Sequence, residues 1–212
     1  MRYDYVFWDW NGTVYDDAEA SKDAVNLMLR RRGKPDIDLE TYREYIDIPI
    51  SKFYEKAFGS PLQDMDLLAS EFNADYRACL PECPLRAGIK EVIERLYSLG
   101  ISQCVFSSSA NEIINEFLDK HGMTRYFDAV LGASDYYVGS KLQRTKDYLE
   151  NNGIDPKRAV FIGDMEHDYE VASACGSDCI HIGGGHRPDK VLENTGRPFV
   201  CDAYGLLELI TK

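Results

Sequence analysis

Apolar residues form two kinds of run along the chain, and the two kinds occupy different regions. Tyr5–Trp8, Cys104–Phe106, Ala129–Leu131, Ala159–Ile162 and Cys179–Ile182 are short and lack polar alternation. Such runs predict strands covered on both faces. Helical spacing fills the intervals: Ile89, Val92, Ile93, Leu96 and Leu99 end at Gly100, and Ile113, Ile114, Phe117 and Leu118 end at Gly122. Further helices are predicted over Lys141–Asn151, Asp168–Ala174 and Tyr204–Ile210. Strands alternating with helices imply parallel pairing through right-handed crossovers, hence an α/β fold with a doubly wound, mostly parallel, Rossmann-like sheet.

One stretch breaks the alternation. From Asp16 to about Ala78 only helical spacing occurs, with pieces ending in the basic turn Arg30–Arg32 and continuing over Tyr42–Tyr45, Ser51–Phe58 and Leu67–Cys79. The expected organisation is a core of residues 1–15 and 83–212, with an all-helical insert, 16–82, after the first strand.

Composition narrows the partners. Among 212 residues, Lys and Arg number 24 against 36 Asp and Glu, a formal net charge of −12. Nucleic acid and anionic membrane surfaces demand a basic footprint, so neither is expected as a partner. No apolar run approaches the ~18 residues of a membrane span, and Met1–Tyr5 lacks signal-peptide features; a cytoplasmic location is expected. Six cysteines include the pairs Cys79/Cys83 and Cys175/Cys179 at a spacing zinc tolerates. Helix and strand periodicity already accounts for these positions, and free thiols are expected.

Ligands of doubly wound sheets bind beyond the carboxyl ends of the strands. The residues following successive runs are Asp9 and Asn11, then Ser107 and Ser108, then Lys141, then Asp164 with Asp168 just beyond. Clustered carboxylates suit a hard divalent cation such as Mg²⁺, and a lysine beside a hydroxyl suits a phosphoryl group. Each residue alone is an ordinary helix cap; the conjunction is the signal.

The same residues carry a resemblance. Asp9-Trp10-Asn11-Gly12-Thr13-Val14 resembles the first motif of the haloacid dehalogenase superfamily, D-x-D-G-T-hydrophobic. Ser107 and Lys141 resemble its second and third motifs. Gly163-Asp164-Met165-Glu166-His167-Asp168 resembles the fourth, and Pro84–Gly88 resembles the return from a helical cap. Cap placement between the first two motifs is similar to the phosphoglycolate-phosphatase-like branch. The resemblance implies a Mg²⁺-dependent phosphatase acting on a small phosphate ester through an aspartyl-phosphate. It implies Asp9 as nucleophile, and Asp9, Asn11 (through its carbonyl), Asp164 and Asp168 around the metal. Ser107, Ser108, Lys141, Gly12 and Thr13 are implied at the phosphoryl oxygens.

Asn11 departs from the pattern, which has a second Asp as acid/base. An amide has no proton to exchange near neutral pH, and losing a positioned acid/base costs ~10²–10⁴ in rate. Three readings follow: a slow or leaving-group-selective phosphatase, a phosphonoacetaldehyde-hydrolase-like enzyme, or a binding module whose hydrolysis has decayed. The second resembles the motif D-W-A-G-T and needs a cap lysine, for which Lys52 is the nearest candidate. Glu166, His167, Asp16 and Asp17 are candidate replacement acids. Asp47, Lys52, Arg77 and Arg30–Arg32 are candidates for reading the substrate. His186 and Arg187, after the Gly183–Gly185 run, are expected at the surface, and Tyr136 and Tyr137 as packing residues.

Overall fold

The computed structural model describes residues 2–59, 64–80, 83–133 and 141–212; Tyr136 and Tyr137 lie outside them. Strand β1 (Tyr5–Trp8) sits inside a six-stranded sheet with β2 (Ser102–Ala110), β3 (Ala129–Ala133), β4 (Ala159–Gly163), β5 (Asp178–Ile182) and β6 (Phe199–Val200). The order is β3-β2-β1-β4-β5-β6, and every neighbouring pair is parallel. Helices α5 (Ile89–Ser98), α6 (Asn111–Lys120), α7 (Lys141–Asn151), α8 (Glu166–Cys175), α9 (Asp189–Glu193) and α10 (Ala203–Thr211) complete this layer structure.

Both sheet faces are covered, which is why the strands read as unbroken apolar runs. Val6 and Trp8 of β1 point into one cluster with Ile89, Ile114 and Leu206 of α5, α6 and α10. Phe7, between them, points into the other with Phe106, Phe161 and Val171. There Phe161 stacks on Phe7 with ring centroids 4.7 Å apart and meets Phe106 edge-on at 4.9 Å.

The insert forms α1 (Ala18–Arg31), α2 (Leu39–Tyr45), α3 (Ile50–Phe58) and α4 (Met65–Cys79). Val25, Met28, Tyr42, Phe53 and Leu68 bury one another in a cluster of its own. The basic turn ending α1 is neutralised: Arg30 Nε donates to Asp36 (2.9 Å), Arg31 Nη1 to Asp75 (3.0 Å) and Arg32 Nη2 to Glu71 (2.7 Å). Two of these acids lie on α4, so the turn fastens α1 to α4 as well as complementing the helix dipole.

Two segments differ from expectation. β2 continues through Ser107–Ser109 to Ala110, polar residues that an apolar-run criterion does not register. The β5–α10 interval contains α9 and the two-residue β6, too short to show any alternation. All six cysteines are free, and among the described residues no helix is long and apolar enough to cross a membrane.

Phe161 is fully buried between two rings. Phe161→Ala is expected to lower unfolding free energy by about 3–5 kcal/mol, through lost transfer energy and the cavity left behind. Urea unfolding followed by tryptophan fluorescence measures this, and a loss below ~1 kcal/mol contradicts the packing described.

Candidate active site

Sheet order reverses between β1 and β4, and the crevice there opens at the strands' carboxyl ends. Asp9 follows β1 with its amide fixed to Ile162 O of β4 (2.8 Å). Asp164 follows β4, and Asp168 lies in the first turn of α8, where its Oδ2 accepts from the Met165 amide (3.1 Å). Asp9, Asp164 and Asp168 are buried and offer oxygens within 4.8 Å of one another, the one such cluster among the described residues. Lys141 opens α7 and sends its ammonium between Asp9 and Asp168, 2.7 Å from Asp168 Oδ1 and in direct contact with Asp9 Oδ1.

Electrostatics here are unbalanced. Three carboxylates face one ammonium. Burial, reinforced by Asp168, pushes the Asp9 carboxyl well above the usual range, while Lys141 pulls the other way. Burial likewise raises Asp164, with His186 opposing and Asp168 reinforcing. Burial works against the Lys141 charge, yet Asp168 and Asp9 outweigh it and keep the ammonium protonated.

The loop after β1 turns at Gly12, whose φ of +71° suits glycine; a Cβ there would lie 2.3 Å from Asp164 Oδ2. Arg86 Nη1 donates to Gly12 O (2.6 Å) and Nη2 to Gly183 O, tying this loop to the one after β5. The Gly12 amide, expected at phosphoryl oxygens, donates to Asp17 Oδ1 (2.7 Å). The Thr13 hydroxyl, expected there too, lies 3.1 Å from Asp164 Oδ1 and 3.5 Å from Asp9 Oδ2. Both groups meet acceptors of buried carboxylates, which would be costly to leave unpaired.

Asp17 forms a second charged centre. It occupies the N-cap position of α1 without capping it. Its carboxylate instead accepts from Asn11 Nδ2 (2.8 Å), Tyr76 Oη (2.5 Å) and the Gly12 amide, with His186 Nε2 at 3.2 Å. Burial opposes the Asp17 charge, but His186, Tyr76 and Asn11 outweigh it and hold the carboxyl below its ordinary value. His186 is buried rather than at the surface: its amide donates to Asp164 Oδ2 (2.6 Å), and its Nδ1 lies 2.9 Å from Tyr42 Oη. Burial disfavours its charge, yet Tyr42, Asp17 and Asp164 raise its pKa well above the ordinary value.

Asn11 is engaged at both ends of its amide. Besides Asp17, Nδ2 donates to Tyr76 Oη (2.8 Å), and Oδ1 accepts from Ser109 Oγ (2.6 Å). Ser109, Tyr76 and Tyr42 carried no signal in the motif spacing. Of the candidate replacement acids, only Asp17 bonds to Asn11: Glu166 pairs with Arg187 (3.0 Å) and His167 with Glu170 (3.1 Å).

These groups line a cavity of about 980 Å³, into which Asp9, Asn11, Asp17, Ser107, Ser108, Lys141, Asp168 and His186 all face. Ser107 is buried and its hydroxyl accepts from the Ser109 amide (3.0 Å), while Ser108 is exposed. Lys52 lines a second cavity of about 220 Å³ with His167 and Glu170, and its nearest acid is Asp47 at 3.6 Å.

A family model described as haloacid dehalogenase-like hydrolase matches residues 6–182. The chain belongs to this family. A 5'-nucleotidase of Pseudomonas aeruginosa is 26% identical over 187 residues, spanning 87% of this chain and 85% of the relative. A phosphoglycolate phosphatase of Aliivibrio fischeri is 21% identical over 212 residues, spanning 95% and 93%. Among solved structures, a haloacid dehalogenase-like family protein of Streptococcus pneumoniae superposes with a TM-score of 0.82 at 19% identity, covering 98% of each chain. That likeness shows the same fold over 98% of this chain.

Charge imbalance in this hydrolase is expected to make its stability depend on pH and on added cations. Asp9 and Asp164 hold protons more tightly folded than unfolded, so stability falls as pH rises above roughly 4. Asp17, lowered, acts oppositely, but only below that range. In EDTA the melting temperature is expected to fall between about pH 4.5 and 7. Millimolar MgCl₂ is expected to restore it near neutrality and do little at the acidic end. Thermal scans across pH check both; a melting temperature at neutral pH indifferent to MgCl₂ contradicts the charge assignment.

Proposed function

We propose that this hydrolase is a Mg²⁺-dependent phosphatase acting on small phosphate monoesters through an aspartyl-phosphate on Asp9. The observation that carries the reading is Lys141 bridging Asp9 and Asp168 on the floor of the large cavity, with Asp164 alongside. An all-oxygen donor set with two uncompensated negative charges fits a hard divalent cation. Asp9, Asp164, Asp168 and the Asn11 carbonyl would hold it. When bound, the ion offsets charge on the phosphoryl oxygens and on the carboxylates. The phosphatase relatives support the substrate class.

The chain's own groups account for the remaining chemistry. An oxygen of Asp9 bonds to phosphorus as the bond to the ester oxygen breaks; water then displaces Asp9 and releases phosphate. Lys141 and the Ser107 and Ser108 hydroxyls hold the phosphoryl oxygens as charge develops. The helical insert, residues 16–82, acts as a cap that closes the cavity from above and limits water.

Protonation of the departing oxygen is the weak step. Asn11 has no proton to give, and Asp17 beside it is held ionised. Turnover therefore favours esters whose leaving group departs as a stable anion, such as aryl phosphates. No such proton deficit affects capture of the phosphoryl group.

With p-nitrophenyl phosphate and Mg²⁺ the protein is expected to release nitrophenolate, and EDTA to abolish this. Asp9→Asn is expected to lower the rate by at least ~10³-fold, the scale on which losing a nucleophile acts. Equal rates for wild type and Asp9→Asn overturn the reading.

Asn11→Asp places a carboxyl beside Asp17, where like charge raises its pKa and keeps it protonated. A tenfold or greater rise in kcat on alkyl phosphates is expected, with less gain on p-nitrophenyl phosphate. The pair of substrates checks this directly. A folded Asn11→Asp variant with no gain on alkyl phosphates rejects the account of the weak step.

A further inference from the structure

The cavity is far larger than a phosphoryl group requires, and its upper wall belongs to the helical insert. On α4, Phe72, Asn73, Tyr76 and Arg77 form one face and line the cavity. The other side of the helix carries Glu71 and Asp75, which pair with α1. This helix face is anchored over the nucleophile loop, because Tyr76 Oη contacts both Asp17 and Asn11. Arg77, one residue on, is exposed and lines the same cavity as Asp9.

Among the described residues, Arg77 is the one cavity-lining cation that makes no hydrogen bond or ion pair. Lys141 is committed to Asp9 and Asp168, His167 to Glu170, His186 to Asp17, and Arg144 to the Ser107 carbonyl (2.8 Å). The other cations considered for reading the substrate are also engaged: Arg30, Arg31 and Arg32 with Asp36, Asp75 and Glu71, and Lys52 with Asp47. An arginine left unpaired in so acidic a chain is an available anion site, since its planar fork matches carboxylate and phosphate oxygens.

Apolar groups line the same cavity as Arg77. Phe72 and Tyr76 stack, with centroids 5.5 Å apart and planes 10° from parallel. Ile48 and Ile50 line the same cavity while 44% and 41% exposed. Large apolar side chains left open in a concave site are the usual walls of a ligand pocket.

We propose that Arg77 is a specificity-determining residue, selecting phosphate monoesters whose leaving group is an apolar or flat body bearing a second anionic group. This rests on the phosphatase reading for the first anion's place beside Lys141. Arg77 takes the second anion, a carboxylate or a further phosphate, and the apolar wall covers the body between them. A two-carbon acid fills little of this space, so a larger skeleton is selected.

Binding without turnover separates this proposal from the phosphatase reading. With Mg²⁺ present, calorimetry compares phenylphosphonate, 4-phosphonobenzoate and 1,4-phenylenediphosphonate on wild type, Arg77→Ala and Arg77→Lys. Wild type is expected to bind one of the two dianchored ligands at least tenfold more tightly than phenylphosphonate. Whichever ligand gains identifies the second anion as carboxylate or phosphate. Arg77→Ala is expected to reduce that ratio at least fivefold, and Arg77→Lys to keep part of it. No preference in wild type, or the same ratio in Arg77→Ala, overturns the proposal. Hydrolysis of phenyl phosphate, lost in Asp9→Asn, scores the phosphatase reading separately.

Discussion

Three carboxylates buried around one ammonium are the constraint on which the site depends. Removing a charge from water costs several kcal/mol even after relaxation, and one lysine cannot compensate three acids. The surrounding structure is arranged to bear that cost. Asp9 and Asp164 hang from adjacent parallel strands whose register is fixed by Phe7 and Phe161 packing beneath them. Asp168 is held by the Met165 amide, and Thr13 and His186 supply donors to Asp164. Perturbed acids gathered in a crevice are what catalysis requires, and here two apolar layers support them.

A second centre explains the unusual residue at position 11. Asp17 is fully buried, and an ionised carboxylate there needs donors on every side. Asn11 supplies one through Nδ2, with the Gly12 amide, Tyr76 and His186 supplying others. A carboxylate at position 11 would replace a donor with a second acceptor. The amide is therefore complementary to the Asp17 carboxylate. The same centre joins insert to core, since Tyr76 comes from α4 and Tyr42, through His186, from α2. Arg43 and Arg187 add bonds across this boundary, to Gly185 O and Ile46 O.

Much of this was legible in sequence, for identifiable reasons. Strands covered on both faces announce themselves as apolar runs, and a residue directly after such a run must sit at the sheet's carboxyl edge. That logic points to Asp9, Ser107, Asp164 and Asp168; in the structure Asp9, Ser107 and Asp168 line one cavity, and Asp164 lies beside Asp9 and Asp168. Partnerships were not legible. Asp17 meets His186 across 169 positions, and Tyr76 meets Asn11 across 65, with no periodicity connecting them. His186 follows three glycines, a context that reads as exposed loop. Yet Gly185 packs so closely that a Cβ would lie 2.2 Å from Asp164 Oδ2. Likewise, the arginines at 30–32 and at 77 are indistinguishable by composition; only the presence or absence of an acid across the helix pair separates them.

Net charge adds a last step. A formal charge of −12 repels a phosphate dianion at long range, so the protein's overall field does not steer substrate inward. Capture must come from short-range contacts inside the cavity, where the buried Lys141 acts more strongly than a surface cation could. Lys141 is positioned by the acids it neutralises, whereas the acids of α4 nearest Arg77, Glu71 and Asp75, are taken by Arg32 and Arg31 of α1. On the proposed reading, a ligand that engages both cations carries two matching charges and a body that spans the distance between them. On that proposal, selectivity rests on a cation that an otherwise acidic chain leaves without a partner acid.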